Sequence, residues 1–136
     1  MTKILVVIES PFAGETDDLR DGNIRFARWA LRDSILRGES PIASHLLYTQ
    51  DSVLRDNYPE ERALGIECGL AWLRVADRHV FYTDRGWSPG MIAALLKSPK
   101  FFDRVCVRGL DFPPRLPPAE VLSDLPKGFA VLQEKI

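Results

Sequence analysis

The sequence has little cysteine, no long apolar run and almost no net charge. Its two cysteines, Cys68 and Cys106, form no CxxC pair and have no nearby histidine, so we expect no metal site and reduced thiols. No segment approaches the roughly 20 apolar residues that cross a bilayer, and no membrane partner is expected. A net charge of −1 predicts no general attraction to nucleic acid.

The signatures of several enzyme classes are also missing. The sequence contains neither GxGxxG nor GxxxxGK[ST], the two familiar loops that cradle phosphates. It has no serine elbow with histidine and aspartate partners in order. We therefore expect no cofactor and no hydrolase of these classes.

Short apolar segments alternate with amphipathic ones. Residues 4–8 are a continuous aliphatic run, typical of a strand covered on both faces. The alternation predicts a single α/β domain with a parallel, flavodoxin- or Rossmann-like sheet of four or five strands flanked by helices. Further strands are predicted at 41–48, 79–83 and 105–107, and helices at 23–37 (with Asn23 as N-cap and Gly38 beyond its end), 58–76 and 91–96.

Proline dominates the last part of the chain. Residues 111–126 contain Pro113, Pro114, Pro117, Pro118 and Pro126, which exclude a long regular element. We expect a domain over residues 1–110, followed by an extension over 111–136 that packs on the domain or on a neighbouring subunit. Residues 129–132 are predicted to form a short final strand.

Ligands of parallel sheets bind beyond the carboxyl ends of the strands, where three loops are predicted. The loop 10–14 offers Ser10 and backbone amides, and the loop 44–50 offers His45 and Tyr48. Each loop has a plain structural alternative. The loop 10–14 would be an ordinary turn, and His45 in the loop 44–50 would be a hydrogen-bonded structural histidine. His79 lies at the other end of its strand and is expected to be structural.

The loop 84–91 carries the strongest signal of a binding site. Its glycines permit close backbone approach, Ser88 and the following amides suit an anion, Asp84 suits a ribose and Trp87 a flat ring. The structural alternative is that Ser88 caps the helix and Trp87 packs on a neighbour. The predicted ligand-binding residues are Ser10, Pro11, Phe12, Asn23, His45, Tyr48, Asp84, Gly86, Trp87, Ser88, Gly90 and Met91.

Six segments in order resemble the nucleoside 2-deoxyribosyltransferase-like superfamily, and more closely an uncharacterised bacterial and phage branch of it. They are residues 7–10, 23–28, 43–50, 59–66, 76–77 and 82–91. The resemblance implies a nucleoside-shaped pocket, sugar contacts at Ser10 and Asp84, a phosphate contact at Ser88, and a ligand-side or strand-entrance role for Asp77. It also implies a homo-oligomer in the cytoplasm of a bacterial cell or phage-infected host.

The same resemblance implies a missing nucleophile. In the superfamily's enzymes a glutamate in the helix after the Asp-x-Gly loop attacks the anomeric carbon. Here that position falls on Ile92 or Ala94, and no Asp or Glu occurs between Asp84 and Asp103. Neither side chain can attack or ionise.

Three hypotheses follow from the sequence. The first is a protein that binds a nucleoside- or nucleotide-like molecule, such as an ADP-ribose-type signal, as a sensor or sequestering protein without catalysis. The second is an enzyme that cleaves or transfers an N-glycosidic bond with another acid, for which Glu9, Asp84 and Glu61 are candidates. The third is a structural or assembly module with a vestigial pocket.

Overall fold

A computed structural model describes residues 3–99 and 102–134. It contains a five-stranded parallel sheet in the order β2-β1-β3-β4-β5, which confirms the predicted α/β fold. The elements in chain order are β1 (Ile4–Glu9), α1 (Asp17–Leu36), β2 (Glu39–Ile42), α2 (Ser44–Leu47), α3 (Pro59–Leu73), β3 (Arg78–Tyr82), α4 (Pro89–Leu96), β4 (Arg104–Arg108), α5 (Ala119–Asp124) and β5 (Ala130–Gln133).

Helices cover both faces of the sheet, which explains why the central strands are aliphatic throughout. On one face, Val6, Ile8 and Val80 pack with Ala30 of α1. On the other, Val7 packs with Leu73 of α3. The same face continues across β3 and β4, where α4 and α5 pack on Phe81, Val105 and Val107 through Met91, Leu95 and Val121.

Two predicted element bounds are wrong. The strand predicted at 41–48 ends at Ile42, because pairing with β1 stops there, and the chain turns into α2 with amides bonded back to Ala43 and Ser44. Helix α1 begins at Asp17 rather than after Asn23. The Thr16 hydroxyl accepts from the Leu19 amide, and acidic residues occupy the first turn.

The proline-rich segment returns to the sheet. Helix α5 packs near α4, and β5 pairs in parallel with β4, which confirms the predicted final strand. Gly38 has the positive φ expected at the end of α1. No helix within residues 3–99 and 102–134 is long and apolar enough to span a membrane.

A buried ion network ties β5 to the rest of the sheet. The guanidinium of Arg108, 1% exposed, donates to both carboxylate oxygens of Glu39 and of Glu134. Burial raises the pKa of each carboxyl, but the hydrogen bonds and positive charges around it, with Arg108 foremost, together outweigh burial, so both pKa values lie below the ordinary value. The network also includes Ser34, Arg78, Tyr82, Asp33 and Arg37.

Candidate functional site

A cavity of about 480 Å³ opens between α3 and α4, beyond the carboxyl end of β1. We call it the main cavity. Its walls are largely apolar and include Ile66, Leu70 and Met91, whereas Glu9, Ser10 and His45 are polar groups from the end of β1 and from α2. Its other lining residues are Phe12, Ala13, Ser44, Tyr48, Thr49, Leu54, Asp56, Glu61, Arg62, Gly65, Gly69, Leu73, Ser88, Pro89, Gly90, Ala93, Ala94 and Lys97.

Ser10 and His45 form a hydrogen-bonded pair in the main cavity. The Ser10 Oγ lies 2.8 Å from Nε2 of His45. The buried Nδ1 of His45 has no hydrogen-bond partner among the described residues. Burial lowers the pKa of His45, against an opposing effect of the nearby Glu9 carboxylate. His45 is therefore neutral at pH 7 and presents one donor and one acceptor.

Glu9, the last residue of β1, lies between the chain's two histidines. Its side chain is only 16% exposed. Its Oε1 lies 3.9 Å from Nε2 of the buried His79, which is beyond hydrogen-bond distance. The other His79 nitrogen, Nδ1, lies 2.9 Å from Ser98 Oγ. Within residues 3–99 and 102–134 the Glu9 carboxylate therefore accepts no hydrogen bond.

The rim of the main cavity carries charges of both signs. Glu61 is held by Arg55, whose side chain and backbone donate hydrogen bonds that lower the pKa of the Glu61 carboxyl. Arg62 lies 3.9 Å from Asp56. Lys97 lines the same rim from beyond α4. Glu61 is thus already paired, whereas Glu9 is not.

Asp84 lies outside the residues that line the main cavity. Its carboxylate accepts from the amides of Leu110, Asp111 and Phe112 at 2.8–3.0 Å. These bonds fix the turn after β4. In that turn a Cβ on Gly109 would lie 1.7 Å from the Phe112 carbonyl oxygen, so only glycine fits. The structure gives Asp84 a structural task that the sequence does not reveal.

The predicted binding residues divide between two cavities. Ser10, Phe12, His45, Tyr48, Gly90 and Met91 line the main cavity. A second, more open cavity contains Pro11, Asn23, Gly86 and Trp87, together with Gly14, Leu19 and Arg85. Ser88 and Ala13 line both cavities.

Several second-cavity residues have clear packing roles. The Asn23 amide donates to the carbonyls of Phe12 and Ala13 and accepts from Arg85, so it holds the loop after β1. The Trp87 indole donates to the Arg115 carbonyl and stacks on Phe81 with ring centroids 5.0 Å apart.

Ser88 and Asp77 have the structural roles that the sequence analysis gave as alternatives to ligand binding. Ser88 caps α4 by accepting from the Met91 amide, and Asp77 accepts from the Leu5 amide at the strand entrance.

Helix α3 supplies much of the main cavity, but only its Glu61 is predicted from the sequence as a functional residue, a candidate acid. It has no single apolar stripe, because Leu64 and Ile66 are exposed on it while Leu73 is buried. This spread of apolar residues around α3, rather than along one face, is the feature of the sequence that could have indicated a second apolar surface. Gly69 lets α3 approach α2, since a Cβ there would lie 2.6 Å from Ser44 Oγ.

Metal and thiol chemistry find no support at this site. Among residues 3–99 and 102–134, no three metal-ligating side chains of histidine, cysteine or acid type cluster. Burial raises the pKa of the Cys106 thiol to about 11, so it is not a thiolate nucleophile at neutral pH.

The family model for a domain of unknown function (DUF7768) matches residues 4–101, which is most of the chain. The chain belongs to this family. The DUF7768 match contains every residue that lines the main cavity, whereas β4, α5 and β5 lie beyond it. No curated protein matches the chain.

Proposed function

We propose that this DUF7768 protein binds a nucleoside- or nucleotide-like small molecule in the main cavity without transferring its glycosidic bond. The observation that carries the proposal is the cavity itself. Its volume suits a small molecule, its walls suit a flat base, and the Glu9 carboxylate in its lining accepts no hydrogen bond from the described chain. Sensing or sequestering an ADP-ribose-type signal is a role that fits such a site.

The side chains of α4 favour binding over transfer. The resemblance to deoxyribosyltransferases implies a glutamate at Ile92 or Ala94, of which Ala94 lines the main cavity and Ile92 packs against the core. Asp84 is occupied by backbone amides. Losing a covalent nucleophile removes most of the rate enhancement of such an enzyme.

A second candidate function is cleavage of an N-glycosidic bond with Glu9 as the acid–base group. The observation that favours it is the position of this carboxylate, which lines the cavity and has no internal hydrogen bond. This candidate predicts release of free base, whereas the first predicts recovery of intact ligand.

Thermal-shift and calorimetric titrations with adenosine, AMP, ADP-ribose and cyclic ADP-ribose test the proposal. Mass spectrometry of each mixture then shows whether the ligand is intact. We expect at least one compound to raise the melting temperature and to be recovered unchanged. Free base in the mixture would favour the second candidate.

A cavity-filling variant assigns any binding to the site. Ala93 is an exposed α4 residue that lines the main cavity, so Ala93→Trp should abolish binding without disturbing the core. Ala63→Trp, at an exposed α3 position outside the lining, is the matched control and should bind normally. If no compound binds the wild type, or if both variants bind equally well, the proposal fails.

A further inference from the structure

Glu9 combines burial with unused acceptor capacity. Its side chain is 16% exposed, lines the main cavity and accepts no hydrogen bond from residues 3–99 or 102–134. An ionised carboxylate has about four acceptor sites, and buried polar groups are normally satisfied. Because the Glu9 oxygens have no donor within the described chain and line the cavity, they are available to donors on a ligand there.

The neighbours of Glu9 leave its cavity side open. His79 lies behind it, and Nε2 of that ring stops 3.9 Å short while Ser98 holds the opposite nitrogen. His45 is paired with Ser10 and is neutral at pH 7. No lysine or arginine forms an ion pair with Glu9 within the described ranges. The carboxylate is therefore free to take a pair of neutral donors.

Two adjacent hydroxyl groups match this acceptor. A carboxylate can accept two hydrogen bonds side by side, and in dinucleotide-binding Rossmann folds an Asp or Glu accepts from the ribose 2′-hydroxyl. The apolar walls made by Ile66, Leu70 and Met91 then remain for the base.

Resting on the proposed function, we infer that Glu9 accepts hydrogen bonds from the 2′- and 3′-hydroxyls of a ribose, so that the main cavity selects ribonucleosides over their deoxy counterparts. This preference is opposite to that implied by the name of the superfamily the sequence resembles.

Calorimetric titrations with adenosine, 2′-deoxyadenosine and 2′,3′-dideoxyadenosine, and with their 5′-monophosphates, measure the preference. We expect affinity to fall at each step and by at least about tenfold from ribo to dideoxy, or 1.4 kcal/mol. In Glu9→Gln the ratio should shrink, and in Glu9→Leu it should approach one while dideoxy binding persists. Glu60→Gln, at an exposed position outside the cavity, should keep the wild-type ratio.

The outcomes separate the two claims. If no member of either series binds, the proposed function is contradicted for these ligands together with the inference. If ribo and dideoxy compounds bind the wild type equally, only the inference is overturned. A parallel series with guanosine tests the alternative pair of adjacent donors, which lies on the edge of the guanine base. Equal binding of guanosine and 2′-deoxyguanosine, lost in Glu9→Gln, would show that Glu9 reads the base edge and would overturn the ribose assignment.

Discussion

Two polar clusters in this protein differ in how completely their polar groups are hydrogen-bonded. Around Arg108, buried charges of both signs are matched, and each carboxylate of Glu39 and Glu134 accepts several hydrogen bonds. In the main cavity, Glu9 accepts none from the described chain, and a buried nitrogen of His45 has no partner there. The Arg108 cluster is satisfied within the fold, whereas the polar groups beside the cavity are those to which we propose a ligand binds.

Asp84 and Glu9 make the same contrast within one edge of the sheet. They lie at the carboxyl ends of neighbouring strands, Asp84 after β3 and Glu9 at the end of β1, and both are predicted from the sequence as candidate acids for N-glycosidic chemistry. The amides of residues 110–112 occupy Asp84, while no group of residues 3–99 or 102–134 donates to Glu9. Position at the carboxyl edge therefore does not by itself make a binding residue.

The largest expected effect comes from breaking the Arg108 network. Arg108→Met leaves the buried carboxylate of Glu39 and the half-buried carboxylate of Glu134 without their main partner, which should lower the free energy of unfolding by about 3–5 kcal/mol. Urea denaturation measures it. Arg104→Met, on a side chain 63% exposed, is the control and should change stability by less than about 0.5 kcal/mol. Equal effects would contradict the assigned role of the network.

Replacing Asp84 should have the next largest effect. Asn offers one neutral acceptor and turns an amide toward donors, so Asp84→Asn should cost about 2 kcal/mol. Asp103→Asn changes an acid whose side chain is 85% exposed and should be nearly neutral. A fully stable Asp84→Asn protein would show that the turn after β4 does not depend on this carboxylate.

Lowering the pH should weaken the Arg108 network. The pKa values of Glu39 and Glu134 are lowered by folding, so their contribution is present above the ordinary value of 4.5 and is lost as the pH falls through the lowered values. Urea midpoints measured from pH 7 to pH 3 should therefore decline in the wild type. In Arg108→Met this part of the decline should disappear, and parallel curves for the two proteins would contradict the assignment.

The smallest change in the free energy of unfolding, and one of opposite sign, is expected at Glu9. Removing a largely buried charge that has no hydrogen bond should leave stability unchanged or raise it by about 0.5–1 kcal/mol in Glu9→Gln. Thermal denaturation without ligand measures this, with Glu60→Gln as the reference. A clear loss of stability would place Glu9 with the structural acids and remove its distinction from Asp84.

Local patterns in the sequence were enough to predict the sheet. The aliphatic run of β1 and the short apolar segment of β5 are visible without a structure. The start of α1 was misplaced because Gly22 and the polar residues before it resemble a loop, although Thr16 followed by two aspartates is an N-terminal signal.

Hydrogen bonds between residues far apart in the chain could not be predicted from local sequence patterns. The Asp84 contacts span 26–28 positions, and nothing local distinguishes Asp84 from Glu9. Most of the cavity wall formed by α3 was missed because its apolar residues, such as Ile66 and Leu70, look like ordinary core positions and its two lining glycines carry no side chain. The sequence therefore predicted the edge of the sheet at which the main cavity lies better than it predicted which acid lines that cavity.

The bonds between Arg108 and Glu39 join residues 69 positions apart, which has a consequence for how the chain folds. Until β4 is in place, β3 is an unpaired edge strand and Glu39 has only Arg78 as a charged partner. Contacts of such long range slow folding and favour an all-or-none transition. We therefore expect the residues beyond the DUF7768 match to unfold together with the part of the chain that forms the cavity.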